Sequence, residues 1–166
     1  MSLRLEDIEL IRQLKYRYWR FLDTGNVEEM RALFTEDVSV DYEGGTYRWQ
    51  IVGREKMLEA VAASFNANSM ACHTGHHPEI EVLSETTARG TWYLTDIFIN
   101  LLNLQRTTGS ALYHDEYVKV DGQWKISTTH YIRLYEQIDT LPEKPNLTAH
   151  YLARVPAPDN GKTAQE

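Results

Sequence analysis

The chain has 166 residues, 42% hydrophobic and 25% charged, which suits one soluble globular domain with a sizeable core. Its net charge of -7 disfavours nucleic acid as a partner, because that binding rests on phosphate neutralisation by Lys and Arg. A lone cysteine, Cys72, excludes an intrachain disulfide framework. The N-terminal residues carry no apolar leader and no run reaches membrane-spanning length, so a cytoplasmic protein without membrane contact is expected.

In chain order, Leu10, Ile11, Leu14, Tyr18, Phe21 and Leu22 share one arc of a helical wheel and predict a helix from about Leu3 to Leu22. Asp23-Thr24-Gly25 should stop it, with Gly25 in the left-handed conformation. Asn26 with Glu29 three positions on is an N-cap signature for a short second helix through Met30, Leu33 and Phe34. Val38 and Val40 alternate with polar residues, and Glu43-Gly44-Gly45 turns into Thr46–Val52, a hairpin. A third helix follows Gly53 with Met57, Leu58, Val61 and Phe65.

From Met70 the pattern is that of strands. Ile80 and Val82 alternate, and a β-rich run extends from Thr87 to Leu104. Another strand ends at Val120, and Asp121-Gly122 is a hairpin signal into Trp124–Tyr135. Beyond Ile138 the pattern fades, and Val155 to Glu166 reads as a disordered tail. The expected arrangement is one α+β domain over residues 1–140 with a partly disordered extension over 141–166. Helices then long antiparallel strands imply a curved sheet with three N-terminal helices closing one side, and a cavity between the two layers.

Five polar residues sit in or beside apolar stretches: Tyr18, Asp23, His73, Asp96 and Arg133. Tyr18 lies in the apolar arc of the first helix, as a core tyrosine or as a phenol facing a cavity. Asp23 is a turn aspartate or a partner for an imidazole. His73 belongs to Cys72-His73-Thr74-Gly75-His76-His77-Pro78, read as a loop entering a strand. The spacing fits no zinc motif, so no metal is expected, and a general base is the sharper reading because imidazole titrates near neutrality. Asp96 shares strand parity with Trp92, Leu94 and Phe98; it is either paired inside or turned to water at an edge. Arg133 alternates with Tyr131 and Tyr135, opposite Trp124, Ile126, Ile132 and Leu134, and so faces away from the core unless a bulge shifts parity. Lys15, Arg17 and Arg20 fall on the polar flank of the first helix, and His114, Asp115 and Glu116 on a solvated strand face. No Gly-rich phosphate loop, nucleophile elbow or redox cysteine pair is present, so no cofactor is expected.

Three stretches carry a family resemblance. They are Leu14-Lys15-Tyr16-Arg17-Tyr18-Trp19-Arg20-Phe21-Leu22-Asp23, the segment from His73 through Ser84-Glu85-Thr86-Thr87-Ala88 to Trp92-Tyr93-Leu94-Thr95-Asp96, and Asp121-Gly122-Gln123-Trp124 continuing to Tyr131-Ile132-Arg133-Leu134-Tyr135-Glu136. On these the chain resembles SnoaL-like members of the nuclear transport factor 2-like superfamily, and within them the bacterial bile acid 7α-dehydratases. The resemblance implies the cone-shaped α+β fold, and functional roles for Tyr18, Asp23, His73, Asp96 and Arg133, with Arg133 reaching the cavity. It implies a cofactor-free dehydratase acting on a hydrophobic, steroid-like or polycyclic hydroxy-ketone, free or CoA-linked, in a homo-oligomer, a trimer before a dimer. A double-bond isomerase, a polyketide cyclase and a non-catalytic small subunit such as that of a ring-hydroxylating dioxygenase use the same fold and stay open. Two segments depart from the dehydratase pattern: Ile97 to Leu104, and Leu141-Pro142-Glu143-Lys144-Pro145.

Overall fold

The computed structural model describes residues 4–158 and begins with α1, Leu5–Thr24. Its inner face buries Ile11, Leu14, Lys15, Tyr18, Trp19, Phe21 and Leu22. Leu10, placed in the apolar arc by its spacing, is exposed; the stripe is rotated toward Lys15 and Trp19. The expected start at Leu3 lies outside the described residues. Gly25 ends the helix at φ 62°, and its N–H caps the Leu22 carbonyl. The Asn26 side chain then accepts the Glu29 N–H and opens α2, Val27–Met30. A 3-10 turn over Arg31–Leu33 follows, so Phe34 begins a strand rather than ending a helix.

The strands are β1 (Phe34–Glu43), β2 (Arg48–Val52), β3 (Ser69–Val82), β4 (Thr87–Asn100), β5 (Gln105–Val120) and β6 (Gln123–Thr140), with α3 (Arg54–Ser64) between β2 and β3. They form a mixed, curved, unclosed sheet in the order β2-β1-β6-β5-β4-β3. β1 pairs parallel to β6, and the remaining neighbours are antiparallel. The run expected to reach Leu104 is cut at Asn100, whose side-chain oxygen accepts the N–H groups of Leu102 and Asn103 and folds the chain into β5. Asp121 and Gly122 make the β5–β6 turn with φ 50° and 77°.

α1 lies across one half of the sheet's inner face. There Ile11, Leu14, Phe34, Trp92, Tyr117 and Ile126 are all at most 1% exposed. Burying a side chain of this size contributes about 1.5–3 kcal/mol, so this half supplies much of the stability. Trp19 meets Trp92 edge to face at 5.3 Å. Asp7 pins the start of α1 to the β5–β6 hairpin through Lys119 (2.6 Å) and Trp124 Nε1 (2.8 Å).

After β6 the chain returns to the helices. Leu152, in a 3-10 turn over Tyr151–Arg154, is buried, His150 Nε2 meets the Ser69 carbonyl at 2.7 Å, and Ala67 N–H donates to the Val155 carbonyl. Of the tail expected to be disordered, residues 155–158 are described: Val155 is half-buried against the core beside Leu152, and Pro156, Ala157 and Pro158 are exposed. Residues 159–166 lie outside the described residues. No described helix is long and apolar enough to cross a membrane.

Candidate active site

Past Tyr18 and Leu22 of α1, which border it, the other half of the sheet's inner face is hollow. A cavity of about 480 Å³ opens there between the sheet, the end of α1, and α3. Met57, Val61 and Phe65 supply apolar wall from the α3 side, and Leu94 and Phe98 from β4. Ala157 and Pro158 complete the lining from the C-terminal segment.

His73 stands inside β3, not in a loop before it. Asp23, at the last turn of α1, holds it twice: Oδ1 lies 2.6 Å from Nδ1, and Oδ2 accepts the His73 backbone N–H at 2.9 Å. A carboxylate on Nδ1 keeps the proton on that nitrogen and leaves the Nε2 lone pair as the basic position. Nε2 has no hydrogen-bond partner among the described residues. The imidazole is 9% exposed, packed against Phe65, and lines the cavity.

Asp96 is the register partner of His73 on the neighbouring strand, so the two stand side by side on the inner face. Its carboxylate is 3% exposed and meets the Arg133 guanidinium in a two-pronged pair, Nη1 to Oδ1 and Nη2 to Oδ2. Burial works against the charge of Arg133, and the bonds and charge of Asp96 more than offset it, so its pKa is pushed further up. Arg133 faces inward because β6 carries an extra residue, Ser127, opposite the Glu116/Tyr117 step of β5. That bulge puts Thr129, Tyr131 and Arg133 on the side of Trp124 and Ile126, and leaves Ile132 and Leu134 exposed. A second extra residue, Leu134, stands at the Ser110/Ala111 step of β5, one residue on from Gly109, which is opposite Asp96. A Cβ at Gly109 would lie 2.7 Å from the Tyr135 carbonyl oxygen and 2.9 Å from Arg133 Nη1, so a side chain there would collide with β6 and crowd the ion pair.

Tyr18 is fully buried with its hydroxyl 2.6 Å from that of Tyr42, which in turn lies 3.2 Å from Thr129 Oγ1. Burial foremost, then Tyr42, raises the pKa of Tyr18, so it stays a phenol able to donate. A second hydroxyl pair, Tyr47 with Tyr131, is tied to Arg133, whose Nε donates to the Tyr47 oxygen at 3.2 Å. Tyr113 completes the aromatic lining, in edge contact with Tyr18, Tyr42 and Tyr131.

The structure thus collects four of the five expected residues around one cavity, with Asp23 directly behind His73. Residues 3–130 match the SnoaL-like domain. This chain belongs to the SnoaL-like family. Among solved structures, a candidate scytalone dehydratase from Novosphingobium aromaticivorans is 25% identical, with a TM-score of 0.70 over 87% of this chain and 95% of its own. A type 2 hexachlorocyclohexane dehydrochlorinase shares 17% identity at TM-score 0.73, over 88% of this chain and 97% of its own. A candidate aromatic ring hydroxylase, also from Novosphingobium aromaticivorans, shares 20% identity at TM-score 0.74, over 84% and 96%. The last two show the shared fold alone.

Two expectations fail in this SnoaL-like domain. Lys15 is not on a polar flank and Asp115 not on a solvated face: both side chains are fully buried and paired at 2.7 Å. Lys15 lies four residues from both Ile11 and Trp19, and Asp115 alternates with Tyr113 and Tyr117, so periodicity placed both inside. The same alternation marks Tyr42 beside Val38 and Val40; Tyr47 and Gly109 carry no such signal. His76 and His77 lie away from His73, grouped with Tyr93. Among the described residues no three His, Cys, Asp or Glu side chains come together as a metal-ligand set.

Proposed function

We propose that this protein is a cofactor-independent hydro-lyase that eliminates water from a hydrophobic, steroid-like or polycyclic hydroxy-ketone. The observation that carries the reading is the Asp23–His73 dyad facing the cavity beside the Asp96–Arg133 pair. His73 Nε2 removes a proton from a carbon activated by the ketone, and Asp23 steadies the imidazolium that forms. Electrons move to the carbonyl oxygen as an enolate, which accepts hydrogen bonds from the tyrosine hydroxyls, Tyr18 first. The C–O bond then breaks as the enolate collapses, and the departing hydroxyl takes the imidazolium proton and leaves as water. Arg133 spends three of its five N–H groups on Asp96 and Tyr47, so two remain to hold the departing oxygen.

The candidate scytalone dehydratase supports elimination of water by its name, at 25% identity. The bile acid 7α-dehydratase pattern favours a steroid, as free acid or CoA thioester. The reading expects a homo-oligomer, a trimer before a dimer, for which exposed Ile132, Leu134 and Tyr135 supply apolar surface. A non-catalytic small subunit would have no use for a proton-transfer dyad facing a cavity.

The test is ultraviolet absorbance of the protein with a 7α-hydroxy-3-oxo-4-ene steroid, free and as CoA thioester. Loss of water extends the conjugation, so a long-wavelength band should grow with wild type and not with His73→Ala, which should keep its circular dichroism. An unchanged rate in His73→Ala removes the base assignment, and no band with either form retires the steroid.

A further inference from the structure

The elimination makes no direct use of Lys15 and Asp115, the most deeply buried ion pair among the described residues. Burying such a pair costs more desolvation than apolar side chains of the same volume would. Its orientation is specific. The Lys15 ammonium lies 3.8 Å from the ring centroid of Tyr113, 4.5 Å from that of Tyr18 and 5.2 Å from that of Trp19. Asp115 is held from behind by the Tyr117 hydroxyl (2.8 Å), which itself accepts the Trp92 indole N–H (2.9 Å). The pair is therefore a fixed dipole. Its negative end is anchored in the packed half of the molecule, and its positive end rests on the faces of two tyrosines that line the cavity.

A cation on the π face of a phenol draws electron density from the ring and strengthens the donation of its O–H toward negative charge. We propose that Lys15 is a positioning residue that makes Tyr18 and Tyr113 an oxyanion-binding floor. The ligands of this cavity accordingly carry a phenolate- or enolate-type oxygen that lands on it. The elimination reading is used only to identify that oxygen as the enolate of a ketone.

The experiment compares wild type with Lys15→Met and with Lys15→Met/Asp115→Leu, the second keeping the core apolar where the single change strands a buried carboxylate. Binding of 2-naphthol across its titration is followed by the distinct absorption of its two forms, with naphthalene as the uncharged control. Wild type should favour naphtholate over naphthalene. Both variants should lose about tenfold of the naphtholate affinity with naphthalene binding unchanged. A folded double variant that holds naphtholate as tightly as wild type overturns the proposal, as does a wild type with no preference for the anion. Lys15-dependent naphtholate binding without turnover of any hydroxy-ketone would retire the elimination and keep this assignment.

Discussion

The two halves of the sheet's inner face come from the same strands and the same alternation of side chains, yet they are finished differently. In one half, α1 fills the concavity with large side chains, and Trp92, Tyr117 and Ile126 are sealed from water. In the other, the covering residues stop short, and His73, Asp96 and Arg133 stand around an open volume. Polar groups occur in both, but their partners differ. The packed half fixes part of its polar set against rigid neighbours, as in the Trp92–Tyr117–Asp115 chain, and leaves Trp19 Nε1 and Asp115 Oδ1 buried without a hydrogen bond. The hollow half leaves Nε2 of His73 facing space. Stability and reactivity are thus assigned to adjacent stretches of the same strands, because one helix covers only part of a curved sheet.

The sharpest way to break this comparison is Asp23→Asn. The amide keeps the shape but no longer fixes the imidazole tautomer, so turnover should fall about 10²–10⁴-fold while thermal melting barely moves. A lower melting temperature with unchanged turnover would reverse the roles of the halves. Next in size is Trp92→Ala, which empties a fully buried site and should cost about 3–5 kcal/mol in urea unfolding. A loss under 1 kcal/mol would mean that the packed half repacks around the gap.

The smallest effect belongs to Asp7, at the rim of the packed half. The Lys119 bond foremost, with Trp124 and Arg4, holds its pKa below the ordinary 3.8. A depressed folded-state value contributes stability that is fully present above 3.8 and lost as pH falls through the lower folded-state value. Asp7→Asn should therefore cost about 1–2 kcal/mol near neutral pH, and the gap from wild type should close in acid. Melting curves at several pH values check this, and a gap that stays constant into acid removes the ionic account.

Much of this is legible in the amino-acid sequence. The helical period gave α1, Gly25 its end, Asp121-Gly122 the last turn, and strand parity put Asp96 with the apolar residues of its strand while leaving an edge position open. Arg133 was not legible from spacing, because the bulge at Ser127 resets which side the following residues face, and an extra residue has no compositional signature. Lys15 and Asp115 were legible by period and misread by charge: each sits at a core position, where the partner's charge offsets only part of the desolvation cost. The Asp23–His73 contact joins residues far apart in the chain, and only the fold brings α1's last turn onto β3.

The parallel pairing of β1 with β6 has a consequence for how this chain is born. Tyr42 finds its lateral neighbour in Tyr131, so β1 leaves the ribosome long before the strand that will cover its inner edge. Until β6 arrives, the β1–β2 hairpin is an unpaired edge with apolar side chains, the kind of surface that invites association with another nascent chain. Such distant pairing makes for slow folding, and places the period of greatest risk before β6 is synthesised. The Asp96–Arg133 pair depends on the same last strand, so the cavity acquires its cation only in the final stage of assembly.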